Sequence, residues 1–355
     1  MPVEKTDINQ FLSLAKLHPV MDVRSPGEYL HAHIPGAYSL PLFTDEERAV
    51  IGTAYKQRSR EEAVNLGLGF FGPNMKPLAD KAKAVAKEFY QKKPNTNDNI
   101  ILVHCWRGGM RSGAVAWLLD LYGYKVYVLS GGYKNYRKWV LDSFSASAPY
   151  TIIGGNTGSG KTELLQALKE KGEAVVDLEG LAIHKGSAFG AIGLPKQPGQ
   201  EMFENLLAMS LKEQREKLAQ GKKTIFLEDE SQRIGLVNIP GALWDNMRKT
   251  QLFFLDIPFE KRLDHIIEGY GSLNKEELLG AIDRIKEKLG GQNAKLAKEL
   301  LEEGKTKECF EILLSYYDKL YLKSLNKREN LKNICTTIVC ENVGGANIKA
   351  VLSQL

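Results

Sequence analysis

Short runs of apolar residues alternate with segments of helical periodicity throughout the first half of the chain. The apolar runs predict strands at Pro19–Val23, Ile100–Val103 and Tyr124–Leu129. Apolar positions recur at helical spacing in Leu78–Gln91 and Tyr133–Phe144. This alternation is typical of a parallel sheet covered by helices on both faces, so we predict an α/β fold for this half.

The second half repeats the alternation and then becomes mainly helical. Strands are predicted at Tyr150–Ile153, Glu173–Leu178, Lys223–Leu227, Leu252–Ile257 and Asn333–Val339. A long amphipathic helix is expected at Gln200–Ala219, and a helical region from Lys261 to about Leu325. We therefore predict a second α/β domain with a helical extension.

The segment Ser145–Pro149 is small and polar, as linkers often are. A chain of 355 residues also exceeds what one ordinary hydrophobic core supports. We predict two domains, residues 1–145 and 146–355.

Composition indicates the cellular compartment and the class of partner, but it does not identify an activity. A net charge of +5 permits nucleic acid or another anionic partner without requiring one. Cys105, Cys309, Cys335 and Cys340 are widely spaced, which argues against a zinc site or a disulfide framework. We find no apolar signal segment and no run of membrane-spanning length, so we expect a cytoplasmic protein with reduced thiols and no membrane contact.

Cys105 follows the predicted strand Ile100–Val103 and precedes a helix-like run, so it lies where a buried strand turns sharply into a helix. Backbone N–H groups in such a turn bind anions and favour a thiolate. Arg107 and Arg111 would lower the pKa of the thiol further and could bind an anionic substrate, while Ser112 could cap the helix. The alternative is a buried structural cysteine.

A second motif, G-x-x-x-x-G-K-[ST], follows the strand Tyr150–Ile153. It comprises Gly155, Asn156, Thr157, Gly158, Ser159, Gly160, Lys161 and Thr162. The glycines let backbone amides close on phosphate oxygens, Lys161 reaches the terminal phosphate, and Thr162 could hold Mg²⁺. The alternative is a glycine-rich turn without a ligand.

An acidic group after the strand Lys223–Leu227 occupies the place of a Walker-B carboxylate, and the sequence does not choose among Glu228, Asp229 and Glu230. A solvated strand end is the alternative.

A basic stripe is predicted near the end of the helical region. Lys319, Lys323 and Lys327 recur every four residues, and Arg328 continues the patch. Such a stripe can follow an RNA phosphate backbone, so these residues are candidate RNA contacts. A solvated helix face explains the spacing equally well.

The loop at Cys105 matches His-Cys-x-x-Gly-x-x-Arg-Ser, the signature of protein tyrosine phosphatases. The upstream segments Asp22–Tyr29 and His33–Ala37 instead resemble the opening of rhodanese domains, which carry sulfur or selenium on a loop cysteine. From Cys105 to Arg111 the loop is one residue longer than in ordinary sulfur-transferring rhodaneses, which would suit a larger anion or a selenium donor.

A rhodanese-like domain followed by a phosphate loop resembles the tRNA 2-selenouridine synthase family. Further matching segments include Val50–Lys56, Gly186–Gly190 and Glu230–Ser231, whereas Lys185 stands where the family pattern suggests Arg. The resemblance extends from about Val20 to Tyr270.

The resemblance implies a two-step modification of the wobble uridine of tRNA that bears 2-thiouridine. The sulfur first receives a geranyl group from geranyl diphosphate, and selenium from selenophosphate then replaces the S-geranyl group. The loop at Lys161 would bind the diphosphate. Cys105 would receive selenium as a perselenide or position selenophosphate, with Arg107 and Arg111 on the phosphate oxygens.

No tightly bound cofactor is implied by the resemblance, and Mg²⁺ remains an option. The main alternative is a P-loop kinase or NTPase fused to a rhodanese sulfurtransferase. A phosphatase and a phosphate-dependent RNA-binding module are weaker alternatives, the first because no convincing aspartate acid is evident near the loop.

Overall fold

The fold is described from a computed structural model, which describes residues 3–93, 99–270 and 274–355. The chain divides into two compact units, Met1–Ser143 and Phe144–Leu355. Each unit contains a parallel sheet with helices, which confirms the predicted α/β class. No helix in the described ranges is long and apolar enough to cross a membrane.

The strands of the first unit form one parallel sheet in the order β1-β5-β4-β2-β3. Their bounds are β1 Glu4–Thr6, β2 Val20–Asp22, β3 Tyr38–Ser39, β4 Ile100–His104 and β5 Lys125–Leu129. The helices are α1 Ile8–Leu14, α2 Pro26–His31, α3 Asp45–Gln57, α4 Arg60–Lys92, α5 Met110–Leu121 and α6 Gly132–Ser143. Helices α1 and α6 pack on β5 and on each other, whereas α4 packs on α5.

Helix α4 is much longer than the sequence predicted, because it continues through Pro73 and Pro77. Each internal proline removes a backbone hydrogen bond and costs about 3 kcal/mol. An apolar stripe that includes Phe71, Leu78 and Ala82 nevertheless crosses both prolines and is buried in the core of the unit. Burial of that stripe accounts for the continuation of the helix.

The second unit has a parallel sheet in the order β12-β11-β6-β8-β7 and a small antiparallel pair, β9 and β10. Its strands are β6 Tyr150–Gly155, β7 Ala174–Val176, β8 Ile225–Glu228, β9 Arg233–Ile234, β10 Val237–Asn238, β11 Gln251–Asp256 and β12 Cys335–Val339. Strand β6 lies between β8 and β11, so the loop that follows it leaves the middle of the sheet.

The helices of the second unit fall into two groups. Around the sheet are α7 Lys161–Glu170, α8 Leu178–Ala182, α9 Gln200–Ala219, α10 Gly241–Lys249, α15 Leu331–Ile334, a 3-10 turn Gly345–Asn347 and α16 Ile348–Leu352. The helical extension consists of α11 Phe259–Tyr270, α12 Lys275–Leu289, α13 Gly291–Glu302 and α14 Thr306–Leu325. The extension has its own apolar core, centred on residues such as Ile282, Ala297 and Leu313.

Candidate functional site

Cys105 is the first residue after β4, a central strand of the first sheet, and α5 begins at Met110. The loop between them is held by the first turn of α6. Tyr133 N donates to Cys105 O at 2.8 Å, and Lys134 N donates to Trp106 O at 2.9 Å. The cysteine therefore lies at the carboxyl edge of the sheet, where open α/β sheets bind ligands.

Two glycines allow this close packing of the loop. Gly108 and Gly132 both have positive φ, +65° and +58°. A Cβ atom on Gly132 would collide with Cys105 O and with the backbone N of Gly108 and Arg107. Any side chain at Gly132 would therefore displace the loop that carries the thiol.

The environment of the Cys105 thiol favours the thiolate. Burial raises the pKa of the thiol, since only 3% of the residue is exposed. Hydrogen bonds from the Ser112 hydroxyl and from the backbone N–H groups of Ser112, Arg107 and Gly109 outweigh burial and lower the pKa below its ordinary value. The Sγ atom lies 3.3 Å from Ser112 Oγ, and the single hydroxyl proton can be donated either to the sulfur or to Gly109 O at 3.1 Å, so a thiolate draws it to the sulfur. A thiolate so stabilised is a nucleophile near neutral pH.

The two loop arginines differ in their surroundings. Arg107 is exposed, whereas Arg111 Nη1 lies 2.8 Å from Glu28 Oε2. Glu28 Oε2 also lies 3.2 Å from Arg48 Nε, and it accepts a hydrogen bond from Ser25 N at 3.0 Å. Burial raises the pKa of Glu28, but hydrogen bonds and charges from Arg111 and the other donors outweigh burial and bring the pKa of Glu28 below its usual value. Glu28 was not predicted as a site residue, although Ser25 and Glu28 have the spacing of a capping box.

Beneath the loop, a buried polar group links β2 to β4. Arg24 Nη2 lies 2.6 Å from Asp22 Oδ2, and its guanidinium stacks 3.7 Å from the centre of the Tyr133 ring. His104 Nε2 is 3.7 Å from the same Asp22 oxygen. Burial lowers the pKa of His104, so its imidazole is neutral at pH 7. These residues support the loop from below and were not predicted from the sequence as site residues.

The phosphate loop leaves β6 at Gly155 and enters α7 at Lys161. Gly158 and Gly160 have positive φ, +79° and +71°, which glycine adopts without strain. Lys161 Nζ donates to Gly155 O at 3.0 Å, and Thr162 Oγ1 donates to Glu179 Oε2 at 3.3 Å. Among the described residues, the buried Asn156 Oδ1 and Ser159 Oγ have no hydrogen-bond partner. The structure thus brings all the predicted phosphate-binding residues into one turn.

The three Walker-B candidates have different environments. Glu228 ends β8 and is buried, and its Oε1 accepts from Glu179 N at 2.7 Å. Burial, followed by the charges of Asp177 and Glu179, raises the pKa of Glu228 to about 8. Glu230 is half-buried, and burial and Glu179 raise its pKa well above the usual value. Glu228 is therefore mainly protonated at neutral pH.

Asp229 is committed to other residues of the protein. Its carboxylate accepts from Tyr321 Oη at 2.7 Å and forms an ion pair with Arg328. This corrects the prediction for two residues. Asp229 has the partners of a structural carboxylate, and Arg328 is only 6% exposed, so it does not lie on an RNA-binding surface.

The residues near Thr162 do not form a ready Mg²⁺ site. Within the described ranges, no three His, Cys, Asp or Glu side chains are placed to hold a metal ion, and the Thr162 hydroxyl donates to Glu179. The Mg²⁺ ion remains a prediction from the sequence, and no step below depends on it.

The rest of the basic stripe is exposed. Lys319 and Lys323 lie on α14, and Lys327 lies in the turn that follows it, because α14 ends at Leu325. The three lysines are accessible to a polyanion, and their contact with tRNA stays a prediction.

Comparisons with known proteins match both units. A model of the rhodanese-like domain matches residues 6–138, and a model of the tRNA 2-selenouridine synthase AAA domain matches residues 148–342. The second model covers more than half of the chain. This chain belongs to the tRNA 2-selenouridine synthase family. The resemblance inferred from the sequence is confirmed.

Relatives with the same name match over nearly their whole length. A tRNA 2-selenouridine synthase of Nitrosomonas europaea is 33% identical over 87% of this chain and 90% of its own. Those of Sulfurovum sp. and Shewanella piezotolerans are 34% and 32% identical, over 85% and 92% of this chain and 87% and 94% of their own. A crystallised N-terminal domain from Clostridium difficile 630 is 37% identical over 39% of this chain and 99% of its own, with a TM-score of 0.33, too low to inform the fold.

Proposed function

We propose that this family member is a cytoplasmic enzyme that converts 2-thiouridine at the wobble position of tRNA to 2-selenouridine. The proposed donors are geranyl diphosphate and selenophosphate, and the proposed partner is tRNA that already carries the 2-thio group. The observation that carries the proposal is the occurrence in one chain of a thiol with lowered pKa and a phosphate loop. The names of the relatives support the same reaction.

In the first step, the 2-thio sulfur attacks C1 of geranyl diphosphate. The C–S bond forms as the C–O bond to the diphosphate breaks, N3 of the uracil ring gives up its proton, and pyrophosphate leaves. Negative charge grows on the departing diphosphate. Lys161 and the amides of the phosphate loop are suited to stabilise that charge, because preorganised donors act most strongly where charge develops.

In the second step, selenium replaces the S-geranyl group at C2. Alkylation has turned the sulfur into a leaving group, so geranylthiol departs with a proton while the C–Se bond forms. Water takes up the phosphoryl group of selenophosphate and releases phosphate. In this proposal the Cys105 thiolate orients the selenium without bonding to it, N3 of the uracil ring regains a proton, and Arg107 and Arg111 bind the phosphate oxygens.

The proposal is tested by nucleoside mass spectrometry of thiolated tRNA after incubation with both donors. Wild-type protein should yield 2-selenouridine. The Cys105→Ala variant should accumulate S-geranyl-2-thiouridine, and Lys161→Ala should slow geranylation by about 10²–10³-fold, as expected for loss of a charge-stabilising donor. Ser13→Ala, which removes an exposed hydroxyl on α1, is the control.

Two results would contradict the proposal. One is thiolated tRNA that remains unchanged with wild-type protein and both donors while ATP is hydrolysed, which would favour the NTPase alternative. The other is loss of both steps in Cys105→Ala with the fold intact, which would contradict separate roles for the two loops.

A further inference from the structure

Tyr321 of α14 lies next to the first residue of the phosphate loop, although 166 positions separate it from Gly155. Gly155 N donates to Tyr321 Oη at 3.0 Å, and Tyr321 Oη donates in turn to Asp229 Oδ2 at 2.7 Å. The hydroxyl is therefore an acceptor on one side and a donor on the other. Through it, the helical extension holds the strand-to-loop junction of the sheet.

The close approach of Tyr321 depends on the residue before the loop. A Cβ atom on Gly154 would lie 2.7 Å from Tyr321 Oη, so glycine leaves the space that the hydroxyl occupies. The ring of Phe254, on β11, lies beside the Tyr321 ring, and the two ring centres are 6.1 Å apart. The tyrosine is thus fixed by packing as well as by hydrogen bonds.

Gly155 is held at both of its backbone polar groups. Its N–H is bonded to Tyr321, and its carbonyl accepts from Lys161 Nζ at 3.0 Å. Lys161 Nζ also lies 5.9 Å from the centre of the Tyr321 ring, within the range of a cation–π contact. The N–H and the carbonyl belong to the two peptide units on either side of Gly155 Cα, so a shift of this residue would move the oxygen that now anchors the Lys161 ammonium group.

Asp229 and Arg328 complete the arrangement behind the hydroxyl. Asp229 N donates to Ile153 O at 2.8 Å, which fixes its backbone to the phosphate-loop strand. Its carboxylate accepts a hydrogen bond from Tyr321 Oη and forms an ion pair with the buried Arg328. The Tyr321 hydroxyl therefore points its proton at the Asp229 carboxylate and its lone pair at Gly155 N–H.

We infer that Tyr321 is a positioning residue of the diphosphate site, and that Asp229 and Arg328 serve to orient its hydroxyl. The inference rests on the proposed function of the phosphate loop in binding geranyl diphosphate. Tyr321 acts through Gly155 and Lys161 rather than by touching the substrate. It sets the geometry in which the loop amides and the lysine meet the two phosphates.

The test is Tyr321→Phe in the full-length protein, which removes one oxygen and keeps the ring. Geranyl diphosphate and inorganic pyrophosphate are titrated by calorimetry, and geranylation of thiolated tRNA is measured at several donor concentrations. Tyr317→Phe is the matched control, because its hydroxyl lies on the same helix and accepts from Ala188 N at 3.3 Å, outside the phosphate loop.

We expect Tyr321→Phe to raise Kd for both ligands and KM for geranyl diphosphate about tenfold, the effect of one buried donor losing its acceptor. The value of kcat should fall as well, because Lys161 and the loop amides stabilise the charge that grows on the departing diphosphate. Tyr317→Phe should leave Kd and KM unchanged.

A lower melting temperature in Tyr321→Phe with unchanged Kd and KM would overturn the inference and leave the residue a purely structural role. Failure of the proposed function gives a different result. In that case wild-type protein binds neither geranyl diphosphate nor pyrophosphate, or Lys161→Ala binds them as well as wild type does.

Discussion

The reactivity of Cys105 should depend measurably on one hydroxyl group. Ser112 Oγ lies 3.3 Å from the thiol, and Ser112→Ala removes this donor while the backbone N–H groups of Arg107, Gly109 and residue 112 remain. A hydrogen bond to the charged form of a group lowers the pKa of an acid. The wild-type thiolate therefore persists to a lower pH than an ordinary thiolate, and the substitution should shift its titration to higher pH.

The size of the shift follows from the energy of such a bond. A hydrogen bond to a charged group contributes about 1.5–3 kcal/mol, and about 1.4 kcal/mol corresponds to one pKa unit. Because the amide donors stay in place and the contact is to sulfur, we expect the loss to lie at the lower end of this energy range and to raise the pKa of Cys105. The gain in intrinsic nucleophilicity with pKa offsets about half of the loss in thiolate on a logarithmic scale, so the rate at neutral pH should fall by about threefold.

The assay is the pH dependence of alkylation by iodoacetamide, followed by peptide mass spectrometry. Cys105 should react first in wild-type protein, because burial raises the pKa of the other three thiols, that of Cys309 to about 11. In Ser112→Ala the midpoint for Cys105 should move up while circular dichroism stays unchanged. An unmoved midpoint, or labelling spread evenly over Cys105, Cys309, Cys335 and Cys340, would refute the reasoning.

Two further predictions concern the second unit. Between about pH 4.5 and 8, folded Glu228 binds more protons than it does in the unfolded chain, so it lowers stability as pH rises. The melting temperature of Glu228→Gln, measured with a chelator present, should therefore rise relative to that of wild type from pH 5 to 8, and the difference should then stay constant. A difference that is the same at every pH would contradict the raised pKa of Glu228. Reversal of the exposed Lys319, Lys323 and Lys327 to Glu should weaken tRNA binding and reduce the slope of log K against log salt by about 0.7–0.9 for each lysine that contacts a phosphate; an unchanged slope would remove the stripe from the interface.

Local sequence patterns predicted the elements that place the two loops. Cys105 follows the apolar run of β4, and Gly155 to Lys161 follows that of β6. Each signal lies within about ten neighbouring residues, because a strand, a glycine turn and a helix start are all local features. The predicted helix start at Leu78 was wrong for the same reason, because the apolar stripe that extends α4 back to Arg60 is buried by contacts distant in sequence.

The partners of charged side chains could not be predicted from the sequence. Asp229 and Arg328 each matched a functional pattern, one after a strand and one in a basic run. Their ion pair joins residues 99 positions apart, and nothing local in the sequence indicates it. The same holds for Glu28 with Arg111, which lie on α2 and α5 and are 83 positions apart. Charge spacing predicts an exposed surface only when no distant partner of opposite charge buries the residue.

The two loops share a backbone design and differ in their reactive or charged side chain, which is Cys105 directly after β4 and Lys161 at the start of α7. Both are glycine-containing turns from a parallel strand into a helix, so both present N–H groups to an anion. After β4 that side chain is a thiol held towards its charged form, which can orient the selenium. In the second loop Lys161 supplies a cation that can stabilise departing pyrophosphate but cannot carry the selenium. If the proposed reaction is correct, the alkylation and the replacement need different loops, and loss of either motif should stop the pathway at a different nucleoside.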